Sequence, residues 1–131
     1  MKEYAIRLVK GQDLYNSIFE FCKKNNIEAG TVISGVGCLT TAKIRDANGK
    51  KIHTLTEPLE IVSLMGTVSK HRLHIHISLA KENLNVIGGH MVEGCLVNTT
   101  CELVIAKLDN YIFEKTFDEK TGYNELLIKN K

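Results

Sequence analysis

Most of the chain has the residue pattern of β-strands, and a helical period of apolar residues occurs only near its beginning. The segment Tyr4–Val9 is rich in β-branched and aromatic residues, which predicts a strand. Asp13 then follows as a candidate helix N-cap. The next apolar residues recur at helical spacing and form one stripe: Leu14, Tyr15, Ile18, Phe19 and Cys22. We therefore predict one clear helix near the N-terminus.

The remainder of the chain predicts strands. Gly30–Leu39 is apolar with three glycines, so it should turn or bulge near Gly35 and Gly37. Asn48-Gly49 is a strong hairpin signal between candidate strands at Thr40–Asp46 and Ile52–Leu55. Further strand candidates follow: Leu59–Ser69, Leu73–Ala80, Ile87–Leu96, Asn98–Leu108, Tyr111–Phe117 and a short edge at Leu126–Ile128. We expect an α+β fold of two layers, a mainly antiparallel sheet with one clear helix and further short helices.

Length and charge narrow the choice of function. A chain of 131 residues predicts a single domain spanning 1–131. The net charge is +2, and only Arg7, Arg45 and Arg72 are arginines, whereas dedicated nucleic-acid binders usually carry a larger basic excess. DNA therefore stays an alternative partner without support from the charge balance. No apolar run approaches the roughly 18 residues of a membrane span, and no signal peptide is evident, so we expect a cytoplasmic protein with free thiols.

The strand Leu73–Ala80 carries the most informative chemistry. Because strand side chains alternate, His74 and His76 fall on one face and four aliphatic residues on the other. The Gly88-Gly89 pair allows a sharp backbone path that could bring His90 towards them. Three histidines with water in a fourth position form an open zinc site, although His-x-His also occurs on strands by chance. Zinc is the expected ion, with other divalent transition metals as substitutes.

Two carboxylates are candidates for chemistry beside these histidines. Glu93 follows His90 by three residues, and Glu102 lies within the apolar strand Asn98–Leu108. Either could act as a general base for a zinc-bound water, and Glu102 could instead accept a hydrogen bond from a ligating imidazole. The simpler interpretation of Glu102 is a solvated carboxylate at a sheet edge.

The combined motifs resemble the plants and prokaryotes conserved (PPC) domain. The resemblance extends over nearly the whole chain and is carried by the following segments: Leu73–Ala80, Asn85–His90, Glu93–Cys95 and Asn98–Glu102, with Arg7-Leu8, the helix and Gly30–Leu39 in matching order. The His-x-His, Gly-Gly-His and Thr-Thr-x-Glu signature is specific in combination.

The resemblance implies a compact domain with a sheet and flanking helices, assembled as a homotrimer. It also implies that His74, His76 and His90 are the metal ligands. In plants the domain is joined to AT-hooks, which this chain lacks because it contains no Arg-Gly-Arg. We therefore expect a stand-alone trimeric PPC protein with a metal site and a small-molecule ligand at its pocket. The alternatives are a regulatory module with a lysine-built DNA surface and a small metal-dependent hydrolase or lyase.

Overall fold

The computed structural model describes all 131 residues as eight strands and one helix. The elements are, in chain order: β1 (Lys2–Val9), α1 (Leu14–Lys24), β2 (Gly30–Arg45), β3 (Ile52–Val68), β4 (Leu73–Ala80), β5 (Val86–Met91), β6 (Leu96–Lys107), β7 (Tyr111–Asp118) and β8 (Tyr123–Asn130). The predicted mainly antiparallel sheet with one N-terminal helix is confirmed. The prediction of further short helices was wrong, because the segments between the strands are short turns.

Six strands form one sheet in the order β1-β6-β2-β3-β4-β5, and every pairing in it is antiparallel. The sheet curls so far that its edge strand β5 also pairs with the end of β2. Four strands, β2 to β5, thus close on themselves around buried aliphatic side chains. The strands β7 and β8 form a separate two-stranded sheet.

Two strands are longer than their sequence patterns predict. The expected break at Gly35 and Gly37 is realised as bulges within a continuous β2, so the sequence identified the irregularity but not the continuity. Strand β3 likewise runs through Pro58. Proline donates no ladder hydrogen bond, but β4 starts pairing with β3 only at Glu60, and a bulge interrupts the β2 register beside Pro58. The missing N–H is therefore tolerated there.

Helix α1 is fixed at its start and along its buried face. The Asp13 side chain accepts a hydrogen bond from the Asn16 backbone N–H, which is the predicted N-cap. Leu14, Ile18 and Cys22 are fully buried in the core, as the helical stripe predicts. The helix thereby covers part of the sheet. It is too short and too polar to cross a membrane.

The chain between β5 and β6 differs from the predicted strand Ile87–Leu96. Strand β5 ends at Met91, the chain turns over residues 92–95, and β6 begins at Leu96. Gly94 adopts a φ of +109° in this turn, a conformation that favours glycine. The turn directs the chain away from β4 and back under helix α1.

Candidate metal centre

Strand β4 presents two histidines on the outer face of the curled sheet. Leu73, Ile75, Ile77 and Leu79 are buried in the core, whereas His74 is partly buried and His76 is exposed. This alternation is the one that the sequence predicts. Because the opposite face of the strand is anchored in the core, the two imidazoles are held side by side at the surface.

Strand β5 brings the third histidine to the same place. His90 lies directly opposite His76 in the β4–β5 register. It also lies opposite Arg45, where β5 meets the end of β2. The approach of these strands requires glycine at position 89, because a Cβ there would lie 2.7 Å from Ile44 Cγ2 and 3.0 Å from the Arg45 carbonyl oxygen. Gly89 thus lets the sheet close and fixes the position of His90.

The three imidazoles have the spacing that one metal ion needs. Their ring centroids are 5.0 Å (His74–His76), 5.2 Å (His74–His90) and 5.7 Å (His76–His90) apart. One nitrogen from each ring lies within 4.8 Å of the others. With metal–nitrogen bonds of about 2 Å and tetrahedral angles, two ligating imidazoles have centroids about 5 Å apart. The residues present therefore fit a mononuclear metal site after small side-chain adjustments.

The environment favours the neutral form of His74 and His90, which is the form that binds metal. Burial lowers the pKa of His90 to about 4, assisted by the positive charge of Arg45. Burial also lowers the pKa of His74, with Arg72 as the next contribution. His90 Nδ1 is buried and has no hydrogen-bond partner. A buried polar atom without a hydrogen-bond partner is costly, so a metal ion or ligand bound to this nitrogen would supply the missing partner.

A cleft of about 920 Å³ opens beside the histidines. It is lined mainly by polar side chains, with Arg45 and Asp46 at the end of β2 and hydroxyl groups from β2, β3 and β4. Arg72 lies just outside it, with Nη2 3.4 Å from His74 Nδ1.

The sequence predictions did not include Arg45 or Arg72. Arg72 carried a signal, since it precedes His74 by two residues and so has the same side-chain parity. Arg45 carried none, because only the closure of β5 onto β2 brings it to His90.

The two predicted carboxylates, Glu93 and Glu102, lie away from the three histidines in the fold. Glu93 accepts a hydrogen bond of 2.8 Å from Asn16 Nδ2 near the start of helix α1, because the turn after β5 leads away from β4. Glu102 is exposed on β6, opposite Arg7 and Val36, and two strands separate β6 from β4. Neither lines the cleft. The structure brings together the three predicted histidines and does not bring the two glutamates to them within one chain.

Known proteins with a similar sequence or structure share this architecture. A solved protein from Salmonella superposes with a TM-score of 0.95 at 33% identity, covering 99% of this chain and 94% of the other. A metal-containing protein from Archaeoglobus fulgidus superposes with a TM-score of 0.80 at 34% identity, covering 97% of this chain and 94% of the other. A plant- and prokaryote-conserved (PPC) protein from Pyrococcus horikoshii superposes with a TM-score of 0.82 at 30% identity, covering 97% of this chain and 92% of the other.

Among curated proteins, the bifunctional protein GlmU of Synechococcus sp. (strain JA-3-3Ab) is 37% identical over 129 residues, or 98% of this chain. The chain spans only about a fifth (21%) of that protein's length. The AT-hook motif nuclear-localized protein 16 of Arabidopsis thaliana is 25% identical over 121 residues, 88% of this chain and 47% of its own length. The family model of the Plants and Prokaryotes Conserved (PCC) domain matches residues 1–109, which cover every element up to the end of β6. The chain thus belongs to the Plants and Prokaryotes Conserved family, abbreviated PCC or PPC, which is the family that its sequence motifs resemble.

Proposed function

We propose that this protein is a metal-binding PPC protein in which His74, His76 and His90 hold one transition-metal ion, with zinc as the expected ion. The observation that carries the proposal is the convergence of three imidazole rings, with centroids 5.0–5.7 Å apart, in the lining of one cleft. Nitrogen ligands in low coordination number suit zinc. The metal-containing relative from Archaeoglobus fulgidus supports the proposal by analogy.

Three protein ligands would leave one coordination position facing the cleft. A zinc ion held in this way acts as a Lewis acid and lowers the pKa of bound water to about 7. Burial lowers the pKa of His74 and of His90 and so favours their neutral form, and β4 and β5 fix the positions of all three imidazoles. A small polar ligand in the cleft is thus the simplest use of the open position.

A small hydrolase or lyase remains the alternative to ligand binding. Such an enzyme needs a general base beside the metal, and neither Glu93 nor Glu102 lines the cleft of the same chain. Asp46 does line it, but its Oδ1 accepts hydrogen bonds from the backbone N–H groups of Lys50 and Lys51. These hydrogen bonds lower the pKa of Asp46 and so weaken it as a base. The positions therefore favour binding over catalysis.

We also propose that the protein assembles as a homotrimer through the outer face of β2 and β3. Ile33, Val36, Val62 and Met65 are each more than half exposed on these neighbouring strands. Contiguous exposed apolar groups on a sheet are typical of subunit interfaces. Met65 lies opposite His76 and lines the cleft, so an interface here would adjoin the metal site.

The metal content of the purified protein tests the proposed metal site. We expect purified protein to carry close to one equivalent of transition metal per chain by elemental analysis, and His76→Ala to lose most of it. The matched control is His71→Ala, because His71 is exposed in the turn before β4 and lies outside the cleft. Equal metal content in wild type and His76→Ala would refute the proposed site.

The mass of the protein in solution tests the proposed homotrimer. We expect about three times the chain mass of 14.7 kDa by light scattering. Val62→Lys should dissociate the assembly, because it buries a charge in an apolar interface. Val86→Lys is the control, since Val86 is exposed to the same extent (57%) but lies on β5. A monomeric wild type would contradict the trimer.

A further inference from the structure

Arg45 presents an unpaired cationic group to the cleft. Its side chain lines the cleft beside His90, and its Nε is buried without a hydrogen-bond partner. The ion pairs of the protein involve lysines, the N-terminus and His53, and none includes Arg45 or Arg72. A charged group that is partly removed from water gains from a hydrogen-bonded partner of opposite charge, because its desolvation is costly. Arg45 is partly buried, and no carboxylate of the chain forms an ion pair with its guanidinium.

The neighbouring groups leave this role open, including Glu125, whose charge acts on His74 but which forms no ion pair with Arg45 or Arg72. Asp46 directs one oxygen to the backbone of its own turn, and its other oxygen lies 3.7 Å from His53 Nε2. The Tyr123 ring centre lies 5.8 Å from the Arg45 guanidinium carbon. This cation–π contact attracts the charge but accepts none of the N–H hydrogen bonds in the guanidinium plane.

A second guanidinium lies on the other side of the histidines. Arg72 Nη2 is 3.4 Å from His74 Nδ1, at the long limit of a hydrogen bond. The histidines are thus flanked by Arg45 at β2 and by Arg72 at the start of β4. A guanidinium offers two parallel N–H donors that match a carboxylate or a phosphate, so this arrangement suits an oxyanion.

We propose that the cleft binds the oxyanion group, a carboxylate or a phosphate, of a small polar molecule, with Arg45 as its principal hydrogen-bond donor. The inference rests on the proposed function for the metal, whose open position would face the same group. The cleft volume of about 920 Å³ lies within the range of small-molecule sites. The Thr67 hydroxyl also lines it and offers a further hydrogen bond to a polar ligand, whereas the Thr31 hydroxyl already donates to the Gly66 carbonyl oxygen.

Calorimetric titration with two probes tests the inference. Inorganic phosphate and succinate are titrated separately into metal-free and zinc-loaded protein, and elemental analysis of the same samples reports metal content. The variants are Arg45→Gln and Arg72→Gln. The control is Arg7→Gln, because Arg7 is exposed on β1, away from the cleft. Urea unfolding of each variant establishes that it is folded.

We expect at least one probe to bind wild type and Arg7→Gln equally. Arg45→Gln should weaken that binding by about tenfold or more, the effect of losing a charged hydrogen bond. Preferential binding of phosphate or of succinate identifies which oxyanion the site takes. If Arg45→Gln does not fold, a loss of binding in Arg72→Gln supports the inference, and unchanged binding there overturns it.

Two results separate this inference from the metal proposal. Arg45-dependent probe binding to a protein that takes up no zinc would refute the metal centre and leave the oxyanion site standing. A zinc-loaded protein that binds neither probe at millimolar concentration, or binds both independently of Arg45 and Arg72, would overturn the oxyanion site alone. A merely structural Arg45 would lower the stability of the Arg45→Gln variant without changing probe binding.

Discussion

The contact between β5 and β2 at Gly89 predicts how a single methyl group would disturb the metal centre. Alanine at this position places its Cβ 2.7 Å from Ile44 Cγ2 and 3.0 Å from the Arg45 carbonyl oxygen. Ordinary contacts begin near 3.4 Å, so the gap must widen by at least 3.4 minus 2.7, or 0.7 Å. Ile44 is buried and β-branched, so its methyl group cannot swing aside. Strand β5 must therefore move, and it carries His90 with it.

The expected magnitudes follow from this displacement. Overpacking of a core by one methyl group costs about 1–3 kcal/mol in the free energy of unfolding. Metal sites tolerate deviations of only about 0.2 Å in ligand distance. We therefore expect Gly89→Ala to bind zinc about 10–100-fold more weakly, as when a ligating histidine loses its support.

Urea unfolding and a competitive zinc titration measure the two effects on the same samples. Gly122→Ala is the control, because a Cβ there meets no atom within 4 Å but its φ of +76° still strains the backbone. The control should lose stability and keep its zinc affinity. Equal zinc affinity in Gly89→Ala and wild type would show that the β5–β2 contact does not position His90.

Three further predictions follow from the same structure. Zinc release on acidification should have its midpoint below pH 6.5, since burial lowers the pKa of His74 and of His90 and protons compete for their nitrogens only once they titrate; a zinc indicator dye reports it, and release above that pH would contradict the site. A thiol reagent should modify one cysteine rapidly in the native protein and four after unfolding: Cys38 is partly exposed, whereas Cys22, Cys95 and Cys101 are buried with pKa values raised by burial to about 12, 11 and 11. The protein should not bind duplex DNA selectively, and any weak binding should vanish as salt rises, because the net charge is only +2 and only three arginines are present; selective binding in a fluorescence titration at physiological salt would reverse this interpretation.

Local patterns in the sequence were sufficient for the parts of the fold that depend on neighbouring residues. Asp13 caps α1, Asn48-Gly49 joins β2 to β3, and the alternation of β4 separates His74 and His76 from the core. Each of these features is set by a few adjacent residues. Such local patterns are therefore enough to predict strand β4 and the face on which its two histidines lie.

Long-range closure of the sheet could not be predicted from such patterns. Pairing of β5 with the end of β2 brings together residues about 45 positions apart, and it alone places Arg45 beside His90. The same limitation explains Glu93 and Glu102, which are close to the histidines in the chain but separated from them by the turn after β5 and by the strand order. Proximity in sequence was a poor guide to the carboxylates, because strand order decides which faces meet.

X-ray absorption at the zinc edge of the zinc-loaded protein tests the central claim most directly. We predict three imidazole nitrogens at about 2.0 Å and one further light atom from solvent or ligand, with no sulfur in the shell. The same measurement on His76→Ala should show fewer imidazoles or no bound zinc. Zinc–sulfur distances near 2.3 Å, or an unchanged imidazole count in His76→Ala, would contradict a centre built by His74, His76 and His90.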